Sequence, residues 1–174
     1  MLVTMPQSGR IPVAEFDMAP SSDAAAELVP CCASKRWVTR LVKGRPYLTL
    51  DRLVSASDAT LGRLEWPDIA EALAAHPRIG ERATRPAREA GWSRQEQSNT
   101  VPTAQETRRL LVDGNVAYEQ RFGHVFLICA TGLTADQMLS SLQSRLHNDP
   151  VAEQTVVRAE LAKIVRLRLA KAFS

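Results

Sequence analysis

The chain has 174 residues, 45% of them apolar, enough for one globular domain with a real core and little to spare. Its 22 basic and 19 acidic residues leave a net charge of +3 and are interspersed, so a pI near 9.0 permits an anionic substrate or nucleic acid and demonstrates neither. No uninterrupted apolar run approaches the roughly 18 residues of a membrane span, and the opening "MLVTMPQSGRIPVAEFDMAP" lacks the apolar stretch and cleavage site of a signal peptide.

Residues 1–15 read as a flexible N-terminal arm and residues 16–174 as a single helical domain. "SSDAAAELVP" is a helix opened by serine caps and closed by Pro30. Adjacent Cys31 and Cys32, with Cys129 far downstream, have no paired spacing. That usage points to a reducing compartment, the cytoplasm, with inert thiols, no disulfide framework and no metal site. "SKRWVTRLV" follows, with Ser34 as N-cap and Trp37 and Leu41 four apart on one face. "TLDRLVSASDATLGRLEW" and "WPDIAEALAAH" are further helices, the second with Pro67 in its first turn. Pro77 stops that helix at or just before His76, because proline disfavours helical geometry in its predecessor.

Residues 78–92 lack a period and read as a loop. "SRQEQ" from Ser93 has the Ser-x-x-Glu form of a capping box, and Thr103 to Glu106 repeats it at the head of "TAQETRRLLVDGNVAYEQRFG". In that helix Leu110, Leu111, Tyr118 and Phe122 keep helical spacing, and Gly123 is its stop. "HVFLICATG" is a short apolar run, either a strand or a buried extended segment on pattern alone. "TADQMLSSLQSRLHN" and "DPVAEQTVVRAELAKIVRLRLAKAF" are the last two helices, and the ending "KAFS" is neither a peroxisomal tripeptide nor a prenylation box. There is no internal repeat and no linker, so the fold class is an all-α, single-domain bundle with one short non-helical apolar segment.

Three places depart from these local rules. His76 sits at a helix end, where an imidazole complements the helix dipole but is also held in one direction by the proline after it, as a general acid or base requires. Glu96 and Gln97 set a carboxylate beside a neutral amide, although Glu96 is also simply the return partner of Ser93. Arg168 shares a face with Leu161, Ile164 and Val165, at i, i+3, i+4 and i+7. An arginine there either pairs with an anion, an internal carboxylate such as Glu96 or a ligand, or snorkels to water. Arg158, Lys163 and Arg166 lie off that face and read as solvated, and His124 and His147 as surface residues.

Three ordered blocks, "HPRIGE" at 76–81, "WSRQEQ" at 92–97 and "NVAYEQRFGHVFLICATG" at 115–132, resemble the OHCU decarboxylases. These are the 2-oxo-4-hydroxy-4-carboxy-5-ureidoimidazoline decarboxylases of urate breakdown. The likeness extends through "CCASKRWVTRLVKGRPYLTLDRL" upstream and "SRLHND" and "ELAKIVRLRL" downstream, from about residue 30 to the end. It implies an all-helical, cofactor-free, commonly homodimeric enzyme that converts OHCU to (S)-allantoin, with no part for nucleic acid or membrane. By motif, the catalytic residues fall on His76, Glu96 and Arg168. Substrate contacts fall on Pro77, Ser93, Gln97 and the segment Phe126, Leu127, Ile128, Cys129 and Ala130, with no metal. After Gln97 this chain departs from the family pattern: "SNTVPTAQE" puts Pro102 where a helix would continue.

Two other readings compete. A basic all-α binding module would present a basic stripe on the last helix, among Arg158, Lys163, Arg166, Arg168 and Lys171, yet these spread around the circumference. A catalytically silent decarboxylase-like partner is disfavoured because His76, Glu96, Gln97 and Arg168 are all present.

Overall fold

The computed structural model describes residues 9–79 and 105–174. These form eight α-helices: α1 (Val13–Met18), α2 (Ser21–Leu28), α3 (Lys35–Lys43), α4 (Leu50–Gly62), α5 (Trp66–Ala74), α6 (Gln105–Phe122), α7 (Ala135–Arg145) and α8 (Pro150–Ala172). Among the described residues there is no β-strand, only one isolated bridge, and no helix long and apolar enough to cross a membrane. The expected all-α architecture is what the chain adopts.

Local chemistry sets most helix ends. Ser34 Oγ accepts the Trp37 N–H at 3.3 Å and Thr49 Oγ1 accepts the Arg52 N–H at 3.3 Å. Thr134 and Gln137 exchange bonds as a capping box, and Asp149 caps α8 ahead of Pro150. The expectation for α2 needs correcting: its N-cap is Pro20, which makes no side-chain cap, and the serines lie inside the first turn. Gly123 takes φ +76 and ends α6, a conformation costly for any residue with a Cβ. Within α6, a Cβ at Gly114 would lie 2.5 Å from Leu142 Cδ2, so glycine lets α6 and α7 pack close.

Two apolar clusters fill the interior. The larger takes Val13 and Phe16 of α1, the inner faces of α2 to α5, and Val157, Leu161, Val165 and Leu169 of α8. Trp37, fully buried, donates its indole N–H to Ser57 Oγ at 3.2 Å. The smaller is built by α6 and α7 from Leu111, Tyr118, Met138 and Leu142, with Ile79 added from the turn after α5. Leu111, Tyr118 and Phe122 face inward as their spacing predicts, but Leu110 is exposed.

Residues 11–13 meet residues 172–174. Ile11 N–H donates to Ala172 O at 2.8 Å, Val13 N–H to Ser174 O at 2.9 Å, and Ser174 N–H to Ile11 O at 3.0 Å. Arg45 Nη1 donates to Phe16 O and Ala19 O, both at 2.7 Å, which binds the α1–α2 corner to the end of α3.

The basic residues of α8 do not form a stripe. Arg158, expected in solvent, is half-buried and donates to Leu61 O at 2.7 Å and Leu64 O at 2.8 Å, satisfying carbonyls at the C-terminus of α4. Lys163 pairs with Glu160 and Arg166 with Asp58. The basic-module reading therefore loses the surface it needs.

Candidate active site

The helix stops just before His76, as expected, and His76 sits one residue beyond its C-cap. α5 stops at Ala74, Ala75 takes the C-cap, and the His76 N–H reaches back to Leu73 O at 2.8 Å, with Pro77 preventing any further turn. The residue is 8% exposed and its ring Nδ1 lies 3.0 Å from Ala72 O. A carbonyl oxygen only accepts, so Nδ1 carries the proton and Nε2 bears the lone pair of the neutral ring. One backbone bond thus fixes both the direction and the tautomer of the imidazole.

The turn is tied down from the other side. Arg78 Nε and Nη2 donate to Glu119 Oε1 and Oε2 of α6 at 2.5 and 2.8 Å, a bidentate pair. The Arg78 guanidinium holds the Glu119 carboxyl below its ordinary value. A cleft of about 330 Å³ opens beside this pair, lined by Ala70, Leu73, Ala74, Glu119, Gly123 and His124. His124, expected at the surface, is half-buried, with its ring edge-on to Trp66 at 5.1 Å and Tyr118 at 5.5 Å. His147 is exposed, as expected.

Arg168 points inward: it is 4% exposed, and its Nη1 lies 3.4 Å from Pro30 O. Next to it, burial pushes the Cys32 thiol up to about 11, outweighing the Ser34 backbone bond and the Arg168 charge that draw it down. The Glu71 carboxylate adds to that rise, and it accepts the Lys35 N–H at 2.9 Å at the start of α3. The snorkelling alternative for Arg168 is therefore excluded.

Phe126–Ala130 is neither helix nor paired strand. Val125, Leu127 and Cys129 pack with the larger cluster, whereas Phe126, Ile128 and Ala130 pack with the smaller one. A period of two is the mark of an extended backbone, so this segment is extended chain outside any sheet, a seam strand in shape alone, laid along the seam between the clusters. Side chains supply what a sheet neighbour would. Arg145 Nη1 donates to Leu127 O at 2.8 Å, and Glu160 Oε2 accepts the Cys129 N–H at 2.7 Å.

Arg145 belongs to a buried network that the candidate residues above do not include. Its Nε and Nη2 donate to Glu153 Oε1 at 2.8 and 2.6 Å, the Tyr118 hydroxyl donates to the same oxygen, and Asn148 Nδ2 donates to Glu153 Oε2 at 2.7 Å. Glu153 is fully buried. A signal for it existed: Glu153 precedes Val157 and Leu161 at i+4 and i+8, on the stripe that singles out Arg168, and Arg145 follows Met138 and Leu142 at i+7 and i+3.

His76 and Ile79 form one turn whose apolar member joins Phe126 and Ala130 in the smaller cluster, so the turn and the segment share a wall. Arg168 stands against the α2–α3 connection instead. Ser93, Glu96 and Gln97, and the capping boxes begun by Ser93 and Thr103, lie outside the described residues, as do residues 80–92 of the expected loop.

Fold and site together define an all-helical domain with a fixed, buried imidazole at a helix end and an extended segment beside it. The family model for OHCU decarboxylase matches residues 17–170. The chain belongs to the OHCU decarboxylase family. It is 32% identical over 148 residues to the uric acid degradation bifunctional protein TTL of Arabidopsis thaliana, covering 83% of this chain but 45% of that protein. It is 29% identical over 140 residues to the 2-oxo-4-hydroxy-4-carboxy-5-ureidoimidazoline decarboxylase of Haloferax volcanii, covering 79% of this chain and 82% of that one. A crystal structure of OHCU decarboxylase in the presence of (S)-allantoin superposes with a TM-score of 0.73 at 31% identity, over 83% of this chain and 95% of that one. An (S)-allantoin synthase, 21% identical, shares the fold with a TM-score of 0.70 over 93% of this chain and 54% of that one.

Proposed function

We propose that this protein decarboxylates OHCU to (S)-allantoin without a cofactor, as a cytoplasmic homodimer. The observation that carries the reading is the His76 ring, whose Nδ1–H is committed to Ala72 O so that the neutral form offers Nε2 as a proton acceptor. The reaction needs little else of an acid–base kind. When the bond to the leaving carboxylate breaks, its electron pair moves into the ring toward the adjoining imine, so the substrate is its own electron sink. The hydroxyl proton is lost as the carbonyl forms, one proton is delivered to the carbon that becomes the stereocentre, and the former imine nitrogen takes up a second proton from solvent.

His76 Nε2 takes the hydroxyl proton, and the imidazolium so formed returns a proton to one face of the ring, which gives a single enantiomer. Arg168 fixes an anionic or carbonyl group of the substrate. Glu96 and Gln97 hold the ureido and ring nitrogens, with Ser93 and Pro77 completing the wall. Phe126–Ala130 contributes backbone donors and acceptors, which an extended seam strand has and a helix lacks.

The test is to generate OHCU from urate with uricase and hydroxyisourate hydrolase, add the protein, and follow circular dichroism of the allantoin. An enantiomeric signal well ahead of spontaneous racemic decay is expected. A trace no faster than that decay overturns the activity. His76→Asn should lower kcat by about 10²–10⁴-fold, and full retention would remove His76 from the proton-transfer role while leaving the activity intact.

A further inference from the structure

We infer that Glu160 is a positioning residue: its carboxylate fixes one hydrogen-bonding edge of the seam strand so that the opposite edge, at Ile128, is presented to the substrate's ureide. This inference rests on the activity proposed above.

The argument starts from strand geometry. In an extended backbone the N–H and C=O of one residue point to the same edge, and successive residues alternate edges. Leu127 O, held by Arg145, and Cys129 N–H, held by Glu160, are two residues apart and share one edge. Both faces of the strand are packed, one cluster on each. The remaining edge carries the N–H and C=O of Ile128, and among the described residues no group bonds either of them. A donor and an acceptor on one residue match the N–H and C=O of a ureide or cyclic amide, as two chains match across a ladder.

Glu160 does this through a divided carboxylate. Oε2 accepts the Cys129 N–H, while Oε1 is held by Lys163 Nζ at 2.6 Å, which keeps the first oxygen aimed. A strand without a sheet has no neighbour to fix its register, and a rotation that moves Cys129 N–H off its partner swings Ile128 as well. Arg145 holds the other end of the same edge, but its pairing with fully buried Glu153 makes its variants prone to misfolding. Glu160, on the rim of the packed interior with its side chain 13% exposed, is the cleaner probe.

The experiment compares wild type, Glu160→Ala and Glu160→Gln in the circular dichroism assay, with thermal melts alongside. Glutamine keeps an oxygen for the Cys129 N–H and alanine does not. Loss of ligand alignment that acts alike on bound substrate and transition state raises KM and spares kcat. Glu160→Ala is therefore expected to raise KM roughly tenfold with kcat within about threefold, and Glu160→Gln to restore the wild-type KM. Addition of (S)-allantoin should shift the Ile128 amide resonance in wild type and Glu160→Gln and leave it unmoved in Glu160→Ala. Unchanged KM in Glu160→Ala on an active wild-type background overturns the inference and leaves the activity standing. Equal losses in both variants, tracking a lowered melting temperature, also overturn it, because they assign Glu160 to stability alone. An inactive wild type instead overturns the activity, and this inference with it.

Discussion

At the scale of single residues, Cys32 shows how burial and charge compete. Desolvation raises its thiol from an ordinary 9.0 to about 11 even with Arg168 near enough to favour the thiolate. The unfolded chain ionises this thiol from about pH 9, whereas the folded one holds the proton until about pH 11. The contribution to stability is thus whole below the first pH and lost as pH rises through the second, in total roughly 2–3 kcal/mol. Urea unfolding of wild type and Cys32→Ala at about pH 8 and about pH 10.5 isolates it. Wild type should lose the larger share of its stability on going to the higher pH. Equal losses in the two proteins would show that Arg168 has already offset the desolvation. The same comparison explains why Cys32 is a poor nucleophile at neutral pH, as expected of an inert thiol.

Among elements, the seam strand depends on α7 and α8 through Arg145 and Glu153. Their charges lie in an interior where an orphaned partner is far costlier than the pair is favourable. Glu153→Leu, which strands Arg145, should destabilise the fold by about 3–5 kcal/mol. Adding Arg145→Met should recover most of it, because the second change removes the uncompensated charge. Denaturant midpoints of the two single variants and the double variant close the cycle, and purely additive losses would sink the coupling.

This network also marks how far the sequence was legible. The Ser34 cap, Pro67 in the first turn of α5 and the Gly123 stop are contacts within a few residues, and local chemistry is enough to find them. Arg168 was legible for a second reason, since a charge on an apolar stripe contradicts its neighbours. Glu153 broke the same rule one end of the helix away. Other partners are set only by tertiary folding. Arg158 reaches carbonyls 94 and 97 positions earlier, and Arg78 meets Glu119 across 41 positions. No periodicity within α5, α6 or α8 carries that information. For "FLICA" the pattern left strand and buried extended segment open. The structure answers with the buried extended segment: its faces alternate, but side chains stand where a neighbouring strand would be.

For the whole molecule, the contacts that matter most join residues 11–16 to residues 172–174. Phe173 is fully buried and packs edge-on against Phe16 at 5.0 Å, inside the cluster that α1 to α5 and α8 share. Around it, three backbone bonds pair residues 11–13 with residues 172–174. Each such bond contributes about 1 kcal/mol net. Removing the Phe173 ring should cost about 3–5 kcal/mol, so the ring and not the bridge decides whether this junction stays closed. That loss is a large fraction of the 5–15 kcal/mol typical of a domain. Because Phe173 touches the main core and not a satellite, its loss should propagate. Phe173→Ala should unfold in one transition at a clearly lower midpoint, whereas Phe173→Leu, which keeps most of the volume, should lose roughly half as much or less. Hydrogen exchange of the Ile11, Val13 and Ser174 amides separates the two scales. In Phe173→Ala they should exchange with the same opening energy as buried amides of α3 and α8. If instead they exchange early while those amides keep wild-type protection, the closure is a local latch and α1 a detachable element.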